Sequence, residues 1–177
     1  SLRGTFQRRV RCAVHGIFTA GAEPPSAPTA VVEAIVHMVM ELVKQRNVAG
    51  HFLAELRDVN VQKDPMRFRR NLERIGEVLA YELSRTLDYT EQEVISPLGT
   101  ARVHLLQEQP VLATILRAGL PLHQGLLNYF DRADNAFISA YRKHRKGEDG
   151  FDIEVQFLII PSLHDRTLII CDPMLAT

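Results

Sequence analysis

The sequence has little of what a metal centre, a disulfide scaffold or a membrane anchor would need. Its two cysteines, Cys12 and Cys171, stand far apart with no C-x-x-C. That argues against a disulfide framework and a zinc site, and suits a reducing compartment. Lys+Arg and Asp+Glu each number 21, so the formal net charge is zero. No global field therefore draws the chain to nucleic acid or to an anionic membrane. The longest apolar runs are strand-sized, so no transmembrane helix is expected. The signatures G-x-x-x-x-G-K-[ST], G-x-G-x-x-G and G-x-S-x-G are absent. The seven histidines contain no H-E-x-x-H and no paired ligand spacing. His123 and His164 read as surface residues rather than ligands, and no metal ligands are assigned.

What is present suits one globular domain. The chain has 177 residues, 46% of them hydrophobic and 24% charged, enough for a real core. Residues 1–22 carry Arg3, Arg8, Arg9 and Arg11 and no acid, and "EPPSAPT" then reads as a linker. This basic start suits a transit peptide, an extended gene start or a tag remnant. Apolar residues from Val31 to Val43 recur at helical spacing, and Phe52, Leu53, Leu56 and Val59 suggest a shorter helical piece. In "DPMRFRRNLERIGEVLAYELSRTL", Asp64 fits an N-cap and Pro65 the first helical position. Phe68, Leu72, Ile75, Leu79 and Leu83 fall on one face of that helix, and Arg67, Arg69, Arg70 and Arg74 read as a solvated face. "EVISPLGTARVHLL" predicts a β-hairpin turning at Pro-Leu-Gly. "PVLATIL", "NAFISAY", "FDIEVQFLII" and "RTLIICD" predict strands, with "GLPLHQGLLNYF" as a helix between the first two.

Strands separated by helices and turns point to an α/β sheet with parallel members. Such sheets bind ligands at the carboxyl ends of their strands. Three strand ends therefore matter: Arg117-Ala118-Gly119, Tyr141-Arg142 and Asp172-Pro173-Met174-Leu175-Ala176-Thr177. After "ATIL", Ala118 and Gly119 let the backbone approach a ligand, and amides at the following helix start suit an anion. Arg117 adds a charged fork, so phosphate or pyrophosphate is the natural guest. Arg142 opens the basic run "RKHRK", whose Lys143–Lys146 part reads as a solvated hairpin tip. Asp172 reads either as a helix cap or as a carboxylate that grips hydroxyl groups.

These residues carry a resemblance. "TILRAGLPLHQGLL", "ISAYR" and above all "LIICDPMLAT" resemble the uracil phosphoribosyltransferases, of the type I phosphoribosyltransferase fold. "LRDVNVQKDPMRFRRNLERIGEVLAYELSRTL" and "SPLGTA" are similar to that family's N-terminal helix and hairpin arm. The resemblance implies a parallel sheet flanked by helices, with residues 1–47 an extension and helix and residues 48–177 a partial phosphoribosyltransferase domain. It implies that Asp172 holds the ribose hydroxyls of phosphoribosyl pyrophosphate and acts as the catalytic carboxylate. Pro173, Met174 and Leu175 continue that loop, and Ala176 and Thr177 open the cradle for the ribose phosphate. Arg117, with Ala118 and Gly119, should sit in the pyrophosphate loop, and Arg142 should approach the pyrophosphate from the next strand.

The reaction so implied is uracil plus phosphoribosyl pyrophosphate giving UMP and pyrophosphate. Magnesium is expected through the pyrophosphate, GTP as an allosteric activator, a homo-oligomer (dimer or tetramer) as the assembly, and the cytoplasm as the location. In the family "DPMLAT" continues through Gly-Gly-Ser to a helix, further strands and a uracil-reading hood. The chain is thus expected to be a fragment with an incomplete sheet and weak or no activity alone. A non-catalytic nucleotide- or RNA-binding regulator of the same fold is the alternative, with the basic run from Arg142 in its favour.

Overall fold

A computed structural model describes residues 13–19, 46–144 and 151–173. The chain runs through strand β1 (Ala13–Thr19), helix α1 (Ala49–Arg57), a 3-10 turn (Val61–Lys63), helix α2 (Pro65–Ser84) and strands β2 (Tyr89–Ser96), β3 (Gly99–Leu106) and β4 (Val111–Leu116). Helix α3 (Leu120–Leu127) and strands β5 (Asp134–His144), β6 (Phe151–Ile159) and β7 (Thr167–Asp172) follow. The helix expected from Val31 to Val43 lies outside the described residues.

The start of α2 is as its sequence dictates. Asp64 Oδ1 accepts from the amides of Met66 (2.9 Å) and Arg67 (3.1 Å), and Pro65 occupies the first turn. Such a cap contributes about 1 kcal/mol by satisfying amides that have no helical partner. Leu72 and Ile75 are buried, with Phe68, Leu79 and Leu83 packed beside them. Arg67, Arg69 and Arg70 are exposed as expected. Two arginines also tie α1 to α2: Arg67 bonds both carboxylate oxygens of Glu55, and the Arg74 guanidinium lies 5.3 Å over the Phe52 ring.

Five strands form one sheet in the order β1-β7-β4-β5-β6. β7, β4 and β5 are parallel to one another, while β1 and β6 pair antiparallel at the two edges. β1 was not anticipated: residues 1–22 read as a basic extension, yet Ala13–Thr19 fills a sheet edge beside β7. The β2–β3 hairpin is a separate two-stranded sheet whose residues are nearly all exposed, with Leu98 100% exposed at its turn. Strand β4 is central. Val111, Leu112, Ala113 and Thr114 are fully buried, as expected of a parallel strand covered on both faces.

Helix α3 crosses from β4 to β5 and buries Leu122, Leu126 and, just beyond it, Phe130. Each such side chain contributes roughly 1.5–3 kcal/mol. α2 packs on α3 through two glycines. A Cβ on Gly125 would lie 2.0 Å from the Glu73 carbonyl oxygen, and one on Gly76 would lie 2.3 Å from that of Leu122. Asn128 closes the contact by donating to Glu73 and Glu77.

Gly125→Ala should destabilise the fold by about 1–3 kcal/mol, the usual range for overpacking, because backbone must move. Gly50→Ala, in α1 with nothing within 4 Å of the new methyl, should instead stabilise by up to about 1 kcal/mol through helix propensity. Urea unfolding of both variants checks this, and an unchanged midpoint for Gly125→Ala would contradict the close helix contact.

Candidate functional site

β4 is the point where the sheet changes direction. The chain leaves it through α3 to β5 on one side, and β7 returns to pair on the other. A crevice opens beyond the carboxyl ends at such a switch point. A cleft of about 740 Å³ lies beside the end of β4 on its β5 side, lined by Leu116, Arg117, Ala118, Ser139, Ala140 and Gln156, within the size range of small-molecule sites. Arg117 and Ala118 come from the β4 end, Ser139 and Ala140 from β5, and Gln156 from β6.

Among the described residues, Arg117 is exposed and has no ion-pair partner. The peptide bond preceding it is cis, a feature the sequence does not announce. Ala118 faces the cleft. Gly119 turns inward: a Cβ there would lie 2.1 Å from Thr114 Oγ1, 2.8 Å from the Ile115 carbonyl and 2.9 Å from the Cys171 carbonyl. Its small size thus lets the loop sit on the ends of β4 and β7. The Gly119 amide donates to Ile115 and the Leu120 amide to Arg117. These two amides at the helix start are therefore used by the turn itself.

The contact of Gly119 with Cys171 brings the loop beside the tip of β7, where half-buried Asp172 ends the strand and Pro173 is buried. Asp172 lies across β4 from the cleft, since β7 and β5 flank that strand on opposite sides. The Arg142 backbone continues β5 and pairs with Ile153; its side chain lies outside the described set. So do Met174, Leu175, Ala176 and Thr177, expected to continue the ligand loop. Gln156 and Ser139 were missed by sequence reasoning. Their place in the cleft depends on strand register, which a single strand does not reveal.

His123 corrects an expectation. It reads as a surface residue in sequence but is only 5% exposed, on the sheet side of α3 with its ring 5.7 Å from that of Phe137. Burial lowers its pKa below the ordinary value of 6.5, against the opposing effect of hydrogen bonds with the Leu112 backbone and the Asn135 side chain. His164 is exposed as expected. Burial pushes the Cys171 thiol up to about 12, so it is neutral at physiological pH and a poor nucleophile.

Among the described residues, no three His, Cys, Asp or Glu side chains converge to hold a metal. The cleft's lining side chains offer neutral donors and a cation and no carboxylate, a set that suits an anion. Among those residues too, no helix is long and apolar enough to cross a membrane.

Comparison with known proteins places these observations in a family. The family model for uracil phosphoribosyltransferase matches residues 43–177. A curated uracil phosphoribosyltransferase from Porphyromonas gingivalis is 50% identical over 139 residues, covering 78% of this chain and 64% of the relative. One from Methanothermobacter thermautotrophicus is 41% identical over 116 residues, covering 64% of this chain and 53% of the relative. The chain thus spans less than two thirds of the length of these relatives. Among solved structures, the AQ2163 protein from Aquifex aeolicus superposes with a TM-score of 0.61 at 25% identity, over 73% of this chain and 60% of that one.

Two measurements test the buried groups. Iodoacetamide at pH 8, followed peptide by peptide, should leave Cys171 unlabelled in the folded chain and label it in urea; equal labelling would contradict its burial. His123 should make stability fall with acid. Below pH 6.5 the unfolded chain takes up a proton that the folded chain resists. The His123 contribution is therefore complete above the unfolded pKa and declines as pH falls through it towards the lower folded value. His123→Gln should flatten the urea midpoint between pH 7 and 5 relative to the parent chain.

Proposed function

The chain belongs to the uracil phosphoribosyltransferase family, and on that premise we propose that the whole protein transfers a phosphoribosyl group from phosphoribosyl pyrophosphate to uracil, giving UMP and pyrophosphate in pyrimidine salvage. The observation that carries this reading is Arg117, which lines the cleft at the end of β4 without an ion-pair partner among the described residues, on a loop packed against the β7 strand that ends in Asp172. In this reading the bond from the anomeric carbon to the pyrophosphate oxygen breaks as the bond to a uracil ring nitrogen forms, and the proton of that nitrogen passes to the departing pyrophosphate or to water. Positive charge builds on the ribose and negative charge on the leaving group.

Arg117 stabilises the leaving pyrophosphate by placing a cation beside the charge that develops there. Arg142 approaches the same group from β5. Asp172 grips the ribose hydroxyls and favours a cation-like ring, with Pro173, Met174 and Leu175 carrying the loop to the phosphate cradle of Ala176 and Thr177. Magnesium, bound through the pyrophosphate, supplies further charge neutralisation, and GTP is an allosteric activator. The protein works in the cytoplasm as a homo-oligomer. Support for the assembly is the exposed apolar hairpin, where Ile95 is 87% exposed, since apolar surface of this kind favours a partner.

Steady-state assay of the intact protein tests the assignment. Asp172→Ala should lower UMP formation by about 100-fold, in the range found when one electrostatic contact to the transition state is removed. Arg117→Ala should raise the KM for phosphoribosyl pyrophosphate about tenfold or more, the scale of a hydrogen bond to a charged group, and leave that for uracil unchanged. A rate within twofold of the parent for Asp172→Ala would remove its assigned role.

A further inference from the structure

The antiparallel pairing of β5 with β6 breaks its register at one place. Ser139 lies opposite Phe157 and Ala140 opposite Val155, so Gln156 is an extra residue with no partner across the ladder. A bulge of this kind bends its strand and re-aims a side chain, and bulges are concentrated at edges and beside sites. Here it sits on an edge strand and Gln156 lines the cleft, on the wall away from the β4 loop.

The surroundings single this side chain out. Its neighbours Val155, Phe157, Leu158 and Ile159 are apolar and exposed. Leu116, Ala118 and Ala140 give the cleft no side-chain hydrogen-bonding group, so Arg117, Ser139 and Gln156 supply its polar side chains. Among the described residues, neither the Gln156 amide nor the Ser139 hydroxyl has a hydrogen-bond partner. An amide carries two donors and can hold an anion's oxygen without adding charge. A cation on one wall with a neutral donor on the other fixes both the position and the orientation of a diphosphate.

We infer that Gln156 is a ligand-binding residue of this cleft, its amide hydrogen-bonding a phosphoryl oxygen of the pyrophosphate end of the substrate that Arg117 attracts. The inference rests on the anion-site reading of the cleft given above, and it adds a contact supplied by the β6 bulge.

Inorganic pyrophosphate with magnesium, titrated calorimetrically into the 177-residue chain, provides the test. Gln156→Ala should weaken binding about tenfold or more, as loss of a hydrogen bond to a charged group does. Gln156→Asn, which keeps the amide but withdraws it by one methylene, should fall between the two. Unchanged melting temperatures confirm that both variants are folded. Binding by the parent that Arg117→Ala weakens but Gln156→Ala leaves within twofold would overturn the role of Gln156 and keep the anion site. No binding by the parent chain would overturn the anion site and this inference together.

Discussion

Helix α3 is held at both ends by backbone contacts that leave no room for a side chain. At its start, Gly119 rests against Thr114, the Ile115 carbonyl and the Cys171 carbonyl; near its end, Gly125 rests against the Glu73 carbonyl. Most else in the molecule follows from this double constraint. The first contact sets the Arg117 loop on the ends of β4 and β7. The second sets α2, and through Glu55 and Arg67 also α1, on the outer side of α3. α2 contributes nothing to the cleft and meets the site's supporting structure only by packing on α3.

Two arginines at opposite ends of the central strands show how the sheet separates structure from function. Arg166 is largely buried. It pairs with Asp134 at the start of β5 and with Glu108 just before β4, and it donates to the Gln109 carbonyl. Its charge is spent on holding strand entrances together. Arg117, at the exits of the same strands, has no such partner among the described residues. A guanidinium left unpaired on a constrained loop is costly to use as a structural element and well suited to a transient anion.

Local grammar in the sequence was legible where one segment settles its own structure. Asp64 and Pro65 announce α2, the alternation around Pro97-Leu98-Gly99 announces the hairpin, and the apolar run of Val111–Leu116 announces a buried strand. The strand-end rule then located Arg117 and Asp172 at neighbouring tips. What stayed hidden depends on partners distant in the chain. β1 is a strand because β7 offers it an edge. Gln156 enters the cleft because of a register shift against β5, and nothing in "EVQFL" marks the shift. Gly119 looks like a concession to a ligand, but the space it saves is filled by its own sheet. His123 has glutamine and proline near it in sequence, and only the docking of α3 reveals that it faces inward.

A chain of zero formal charge can still concentrate charge where it is wanted, and the arginines show how. Arg67, Arg70, Arg85 and Arg102 each stand within ion-pair distance of a glutamate, and Arg166 meets an aspartate and a glutamate. Surface pairs of this kind add about 0–1 kcal/mol each to stability. Their larger effect is on the field, because paired charges cancel beyond a Debye length of about 8 Å at physiological salt. Among the described residues, Arg117, which lines the cleft, has no such ion-pair partner. Arg117 is exposed between Leu116 and Ala118, which add no charge of their own to the cleft. An anion reaching this cleft would therefore meet an exposed arginine, on a loop packed closely against β4 and β7, although the chain as a whole carries no excess of positive charge.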